Sequence, residues 1–227
     1  MKQLIISLAL LFSTAIMADE VDPFEGVNRS IDSFNQALDE NIFEPVARAY
    51  KNSTPKIVRN RVSDFSDNLT DVITLGNELL QFEVFDSANT FGRIFINSTI
   101  GLFGLFDVAS EIGLERTRED FGQTMALWGT PAGAYVVLPI LGPSTIRDAA
   151  GRFTDIRGNN ELLANVDSDT TLALTLIRAV DTRTKLLPTT DLLKNADDRY
   201  ISTRSAYLQK RTFDIYDGEI PAESDDF

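Results

Sequence analysis

The side chains able to do chemistry in this chain are carboxylates, guanidiniums, amides and hydroxyls, because the sequence holds no histidine and no cysteine. That removes the imidazole base, the thiolate nucleophile, disulfides, His/Cys metal sites and the Ser-His-Asp arrangement. The phosphate-binding patterns G-x-x-x-x-G-K and G-x-G-x-x-G and the G-x-S-x-G elbow are also missing. A carboxylate pair flanking a glycosidic bond is the acid–base chemistry still open. Asp and Glu are nevertheless spread along the chain as solvated helix faces are. The expectation is therefore a non-enzyme without metal or cofactor. A net charge of −13 disfavours nucleic acid, whose binding rests on Lys and Arg neutralising phosphates. It equally disfavours simple adhesion to anionic headgroups, so any membrane contact must be apolar or made through a partner.

These groups must be carried by helices, because helical periodicity dominates the chain. Asp22 reads as an N-cap with Pro23 at the first helical position and Glu25 at the third. Phe24, Val27, Ile31, Phe34 and Leu38 then form one stripe, and the helix is expected to fail near Asn41, before Pro45. A second unit starts at Thr54-Pro55 with Val58, Val62, Phe65 and Leu69 on one face. Thr70 is expected to cap a third helix carrying Val72, Leu75 and Leu79. Asp86 or Ser87 opens a fourth, aligning Ala88, Phe91, Phe95 and Ser98. Arg118 to Trp128 reads as a short helix, and Tyr135 to Leu138 as the single β-favouring run. Gly142-Pro143-Ser144 reads as a turn into a helix with Thr145 and Asp148 at capping-box spacing. Long helices follow over Asp169–Leu187 and Asp197–Tyr216.

The first 18 residues read as a cleaved signal peptide: Lys2, an apolar Leu4–Phe12 core, then small residues to Ala18. Residues 19–218 read as one helical domain and 219–227 as an acidic, disordered tail. Two stretches, 91–114 and 133–148, are rich in large apolar residues but interrupted by Arg93, Asn97, Asp107, Glu111 and Gly142. A bilayer-spanning helix needs about 20 mostly apolar residues in a row, so these stretches suit a membrane interface rather than a crossing. A terminal Phe227 is what outer-membrane β-barrels end with, but barrels show alternating strands throughout, and this chain does not.

Asp22-Pro-Phe-Glu-Gly-Val-Asn-Arg29 resembles the opening motif of the MlaA/VacJ proteins of Gram-negative outer membranes. The resemblance continues through Pro45-Val-Ala47, Arg93-Ile-Phe-Ile-Asn-Ser-Thr-Ile-Gly-Leu-Phe-Gly-Leu-Phe-Asp-Val-Ala109, Asp120-Phe-Gly-Gln-Thr124 and Trp128-Gly129. It includes Tyr135-Val-Val-Leu138, Pro139, Gly142, Pro143, Arg147 and Asp148, then Ala206-Tyr-Leu-Gln209 and Tyr216-Asp-Gly218. The resemblance implies an all-α, ring-like domain with amphipathic helices in the membrane plane and a helical hairpin. It implies an amphipathic channel that takes mislocalised phospholipids from the outer leaflet and passes them to a soluble periplasmic carrier, beside a trimeric porin. The implied location is the periplasmic side of the outer membrane. Most members of the family are tethered by an acylated cysteine directly after the signal peptide, and this chain has none. Rival readings are a soluble periplasmic lipid-binding shuttle and a porin-associated scaffold.

Candidate sites follow from these readings. Phe91, Phe95, Phe103, Phe106 and Ile112 fit a lipid-facing surface and, from the residues alone, fit an ordinary core helix pair equally well; the resemblance favours lipid contact. Gly101, Gly104, Gly129 and Gly133 could hinge the hairpin region, or serve turns and close packing. Asn28, Arg29 and Asn35 are channel candidates, with capping and surface solvation as the plainer alternative. Arg183 and Lys185 could meet a lipid phosphate near a pore mouth, or simply favour a helix C-terminus. For Arg147-Asp148 an ion pair fixing the helix start is expected in preference to phosphate binding.

Overall fold

The computed structural model describes residues 22–219, so the signal-peptide reading of residues 1–18 and residues 220–227 of the tail lie outside the described residues. The N-terminal stripe forms α1 (Glu25–Leu38), a π-turn (Asp39–Phe43) and α2 (Glu44–Ser53). The rod does not fail at Asn41. The amide of Glu44 reaches back to the Asp39 carbonyl, a π-type bond that widens the turn, and Pro45 enters at the start of α2 without breaking the rod. Asp22 does not cap α1; Phe24 is the N-cap residue and offers no side-chain bond. The Asp22 carboxylate is drawn inward instead, accepting from Asn28 Nδ2 at 2.7 Å, from Arg204 Nη1 at 3.0 Å and from the Tyr200 hydroxyl.

The next two helices, α3 (Lys56–Gln81) and α4 (Val84–Thr99), form an antiparallel hairpin. Thr70 opens no helix: its hydroxyl donates to the Ser66 carbonyl at 3.0 Å, a back-bond that accommodates Thr inside a helix. The turn rests on Phe82, left-handed at φ 64°, which for a bulky residue costs roughly 1–3 kcal/mol. The hairpin is inverted relative to a water-soluble one. Its buried face on α3 is Ser66, Asn68, Asp71, Thr74, Asn77 and Glu78, and on α4 it is Ser87, Thr90, Arg93 and Asn97. The aligned Phe91 and Phe95 lie on the outside.

After α5 (Val108–Glu111) comes α6 (Phe121–Leu127), capped by Asp120 accepting from Gln123 N at 3.0 Å. Strand β1 (Tyr135–Leu138) pairs antiparallel with β2 (Gly142–Thr145), in register from Tyr135↔Thr145 to Leu138↔Gly142. The segment Gly142-Pro143-Ser144 is thus strand, where a turn was expected. Val137, opposite Pro143, sends its N–H away from β2 to Asn28 Oδ1 at 2.9 Å. The pair is not one that exchanges hydrogen bonds, so Pro143 costs the ladder no donor. Thr145 then caps α7 (Ile146–Leu162), accepting from Asp148 N at 3.2 Å. The chain ends in α8 (Ser168–Leu193) and α9 (Arg199–Ile215).

The last helices close the chain onto the first: α8 lies against α2 and α3, and α9 against β2 and α6. The apolar core is small, with Tyr135, Val137 and Tyr200 surrounded by Ile31, Ile201, Tyr207 and Leu208. Among the described residues no helix is long and apolar enough to cross a membrane.

Candidate functional site

The polar seam of the α3–α4 hairpin is built around Arg93, which is 0% exposed. Its Nη2 donates to both Asp107 oxygens at 2.9 and 3.0 Å, its Nη1 to Ser110 Oγ at 3.0 Å and to the Leu114 carbonyl, and its Nε lies 3.6 Å from Asp71. Asn97 donates to Asp107 at 2.9 Å and accepts from Ala109 N at 2.9 Å. Burial alone would raise the Asp107 carboxyl, but hydrogen bonds from Ser110, Asn97 and Arg93 hold it down to about 2. Such bonding is what permits charge inside a protein. Its effect here is to turn the apolar side chains outward.

The outward face is large and apolar. Phe85 is 90% exposed, Phe82 85% and Phe103 80%, with Phe91 and Phe95 each at 61% and Ile112 at 62%. Phe106 is half covered by the Arg61 guanidinium, 4.4 Å above its ring. The five proposed lipid-facing residues are thus gathered on α4 and on the loop and short helix that follow it. Phe82 and Phe85 at the hairpin tip join them, and no motif had marked those two. Gly101 and Gly104 belong to the loop's packing: a Cβ on Gly101 would stand 2.3 Å from the Phe106 carbonyl oxygen, and one on Gly104 2.6 Å from Asn68. Gly129 ends α6 in the left-handed region, at φ 82°, and Gly133 sits at φ 70° beside Ile146.

Between hairpin, β-strands and closing helices lie three polar-edged cavities that meet at one residue. One of about 460 Å³ is walled by α1, the β1–β2 turn, α8 and α9, and takes in Asn35, Arg183, Tyr207 and Lys210. A second, of about 330 Å³, contains Asp148, Tyr207 and Lys210. The third and largest, about 770 Å³, contains Thr70, Thr74, Arg118, Glu119, Phe213 and again Lys210. Lys210 projects from α9 with its ammonium 2.7 Å from Asp214, and its side chain remains 73% exposed.

The remaining candidates divide between these spaces and the scaffold. Asn35 lines the first cavity and holds the β1–β2 turn, donating to the Leu138 carbonyl at 2.9 Å and accepting from Ile140 N at 2.7 Å. Arg183 lines it too, but its guanidinium is engaged with both Asp39 oxygens, at 2.5 and 2.8 Å. Asn28 is buried and satisfied, between Asp22, the Tyr135 carbonyl and Val137 N, so it aligns β1 and lines none of these cavities. Arg29 lies outside them, bridging Glu25 and Asp198 over the Tyr200 ring. Lys185 pairs with Asp181 at 3.0 Å. Arg147 pairs with Asp148 at 2.9 Å, and Asp148 also takes Arg211 at 3.0 Å and the Tyr207 hydroxyl at 2.7 Å. Arg211 in turn clasps Asp120 at 2.6 and 2.7 Å, tying α9 to α6. Lys210, Arg118 and Phe213 carry no spacing signal, because folding alone gathers them.

The largest cavity is electrically uneven. Glu119, buried, accepts from Gln81 at 2.8 Å and Gln123 at 2.6 Å. Burial, outweighing the Gln81 bond and helped by Asp217 and Glu83, pushes its carboxyl up to about 8. Burial and the nearby Asp217 and Asp86 push Glu83 up to about 7. Among the described residues, metal-holding groups of three or more His, Cys, Asp or Glu do not occur.

Comparison with known proteins gives one consistent answer. A family model described as MlaA lipoprotein matches residues 20–214. The chain is 34% identical over 203 residues to the intermembrane phospholipid transport system lipoprotein MlaA of Escherichia coli K12, covering 88% of this chain and 80% of that one. It is 32% identical over 211 residues to the protein of the same description from Haemophilus influenzae, covering 91% and 84%. An uncharacterised protein of Rickettsia prowazekii is 37% identical over 191 residues, covering 84% and 76%. A solved structure, reported as the structural basis for maintenance of bacterial outer membrane lipid asymmetry, superposes with a TM-score of 0.74 at 33% identity. That match covers 86% of this chain and 98% of the other.

Proposed function

The chain belongs to the MlaA lipoprotein family, and on that premise we propose how it works: as a phospholipid-transport component of the outer membrane that carries stray lipid through a polar interior while its apolar exterior rests in the bilayer. The observation that carries this reading is the inverted construction. Polar side chains fill the α3–α4 seam, large aromatic ones face outward, and three polar-edged cavities share the exposed Lys210. A phospholipid has a charged head and two apolar tails, so a conduit needs a wet path for one beside an oily surface for the other.

The exterior also supports a mode of attachment. With no cysteine to acylate, the body is held by Phe82, Phe85, Phe91, Phe95 and Phe103, each contributing roughly 1.5–3 kcal/mol when buried. Hydrogen bonds and ion pairs within the seam satisfy much of its polar inventory, as hydrocarbon requires, while the Ser66 and Thr74 hydroxyls and one Glu78 oxygen are left without a partner. A soluble shuttle would hide such residues, and here they are open. In this reading a trimeric porin shares the apolar belt, and a soluble periplasmic carrier receives the lipid on the inner side, as the resemblance to the family implies. Gly129 and Gly133 act as hinges of the segment between α6 and β1. Replacing either with Pro and finding outer-membrane asymmetry unchanged would remove that role.

The test is deletion of the gene with complementation, reading phospholipid at the cell surface. Surface phospholipid should rise on deletion and fall again with the wild-type chain. Intact asymmetry in the deletion strain would overturn the reading.

A further inference from the structure

The chain holds 34 acidic and 21 basic residues, but its charges are not evenly mixed. Residues 45–63, which end α2 and open α3, contain Arg48, Lys51, Lys56, Arg59 and Arg61 and no Asp or Glu. Carboxylates from outside the stretch answer two of these five cations. Arg48 pairs with Glu44 at 2.8 Å and also with Asp191, and Arg61 pairs with Asp64 at 3.0 Å. Asp181, reaching the elbow from α8, accepts from Ser63 and has its own cation in Lys185 at 3.0 Å. Lys51, Lys56 and Arg59 are left with no carboxylate within ion-pair distance among the described residues. Arg59 donates to the carbonyls of Lys51 and Thr54, the second at 2.7 Å, which ties the two helices at the elbow. The Lys51 and Lys56 side chains stand exposed.

The fold itself gains little from this surplus. Cations at the start of a helix oppose its dipole, and α3 opens on Lys56 and Arg59 with no acidic residue in its first turn and no side-chain cap. Charges farther off than about 8–10 Å are screened at physiological salt, so the acidic balance of the whole chain does not cancel a local excess. The elbow is also apolar. Ile57 is 69% exposed and Val58 is open beside it. One turn beyond Ile57, the Arg61 guanidinium lies 4.4 Å above the Phe106 ring. Phe106 belongs to the loop after α4 that bears the exposed Ile100, Leu102 and Phe103. The basic elbow is thus continuous with the apolar exterior. Lysines at the rim of an apolar face, stems along it and ammonium groups beyond it, suit a bilayer surface that carries anionic headgroups.

We propose that the α2–α3 elbow is a docking surface for the headgroups of anionic phospholipids, with Lys51 and Lys56 as the contacts and Ile57 and Val58 set into the bilayer beside them. This contact rests on the bilayer attachment proposed above and adds to it a preference among lipids. Charge complementarity alone would also suit an acidic protein. Continuity with Phe106 and Phe103 decides for the bilayer, because the surface that takes up those rings brings phosphates to the two lysines.

The experiment floats the purified full chain with two kinds of vesicle at low salt, phosphatidylcholine alone and phosphatidylcholine mixed with phosphatidylglycerol. One lysine near an anionic surface is worth about fivefold in partitioning, the ratio that about 1 kcal/mol supplies. Lys51→Gln combined with Lys56→Gln should therefore lower partitioning onto the anionic vesicles about 25-fold and leave the neutral ones unaffected. High salt should erase the difference between wild type and double variant. Arg157→Gln, which removes an exposed cation on α7, should change neither partitioning. A double variant that floats with anionic vesicles as the wild type does overturns the docking surface, leaves the bilayer attachment standing and turns the elbow toward an acidic protein. A loss in Arg157→Gln as large as that of Lys56→Gln alone overturns it too, because net charge would then be the cause. A wild type that floats with neither vesicle overturns both surface and attachment.

Discussion

The apolar exterior makes a quantitative demand. Phe85 and Phe103 are 90% and 80% exposed, so their rings pack against little of the chain itself. Replacing both with Ser therefore leaves the fold and its helical circular dichroism unchanged. A Phe transferred from water to an apolar environment contributes roughly 1.5–3 kcal/mol. Taking about 2 kcal/mol for each ring at a membrane interface gives about 4 kcal/mol for the pair, a change of about a thousandfold in partitioning. The assay is co-sedimentation with neutral vesicles, before and after a high-salt wash. Salt screens charge but not apolar contact, so the wild type should stay with the vesicles through the wash and the double variant should not. Salt release of the wild type, or a double variant that sediments as the wild type does, would show that these rings do not hold the chain to the bilayer. Loss of helicity in the double variant would show that the rings belong to a core.

Arg93→Met removes the two-point partner of Asp107 and leaves Arg116, 3.2 Å from Asp71 and 3.5 Å from Asp107, as the remaining cation, so the loss should reach at most about 3–5 kcal/mol, the cost of a buried pair broken outright. Urea unfolding should show a loss within that bound, partly recovered in Arg93→Met with Asp107→Asn. Gly101→Ala places a methyl 2.3 Å from the Phe106 carbonyl, and overpacking against backbone should lower stability by about 1–3 kcal/mol in the same measurement. Glu119, held near 8 when folded, and Glu83, near 7, each stand above the unfolded value of about 4.3. The folded chain thus binds more protons, and their contribution is full below pH ~4.3 and is lost as the pH rises through 7 and 8. Stability should fall by a few kcal/mol between pH 5 and 9, and Glu119→Gln should flatten most of that slope. A slope unchanged in Glu119→Gln would place the titrating group elsewhere.

Most elements were legible in the amino-acid sequence. The stripe from Phe24 to Leu38, the Thr145 cap and the Tyr135–Leu138 strand are local features, and local chemistry decides them. The hairpin's polarity was not. Periodicity tells which residues share a helical face, and Phe91 and Phe95 do share one, but it does not tell which face turns inward. That choice depends on whether the surroundings are water or hydrocarbon, and on Arg93 finding Asp107 and Asp71. The break expected before Pro45 failed for a related reason: a five-residue π-turn absorbs the proline, and single-residue chemistry does not announce it.

The same limit explains the cations. Arg183 was singled out by its place late on α8, but Asp39, distant in sequence, holds it in a two-point ion pair. Arg178, one and a half turns earlier, donates to Thr70 and has no carboxylate within ion-pair distance among the described residues, Asp67 acting on it only from farther off, and no pattern in the chain marks it. Motif residues such as Asp22, Asn28 and Asp148 prove to be the joints between α1, β1, α7 and α9. Asp22 and Asn28 serve the framework alone, while Asp148, Pro143 and Tyr207 are motif residues that also stand in cavity walls beside Lys210, which lies outside the motif.

In the proposed function lipid travels through the cavities past Lys210 rather than over the aromatic exterior alone. A photoreactive side chain placed at Lys210, in the full chain bound to vesicles containing headgroup-tagged phospholipid, tests this directly, with the same side chain at Phe85 as the exterior comparison. Tagged lipid should crosslink at Lys210 through its headgroup. Crosslinks formed at Phe85 and none at Lys210 would contradict it.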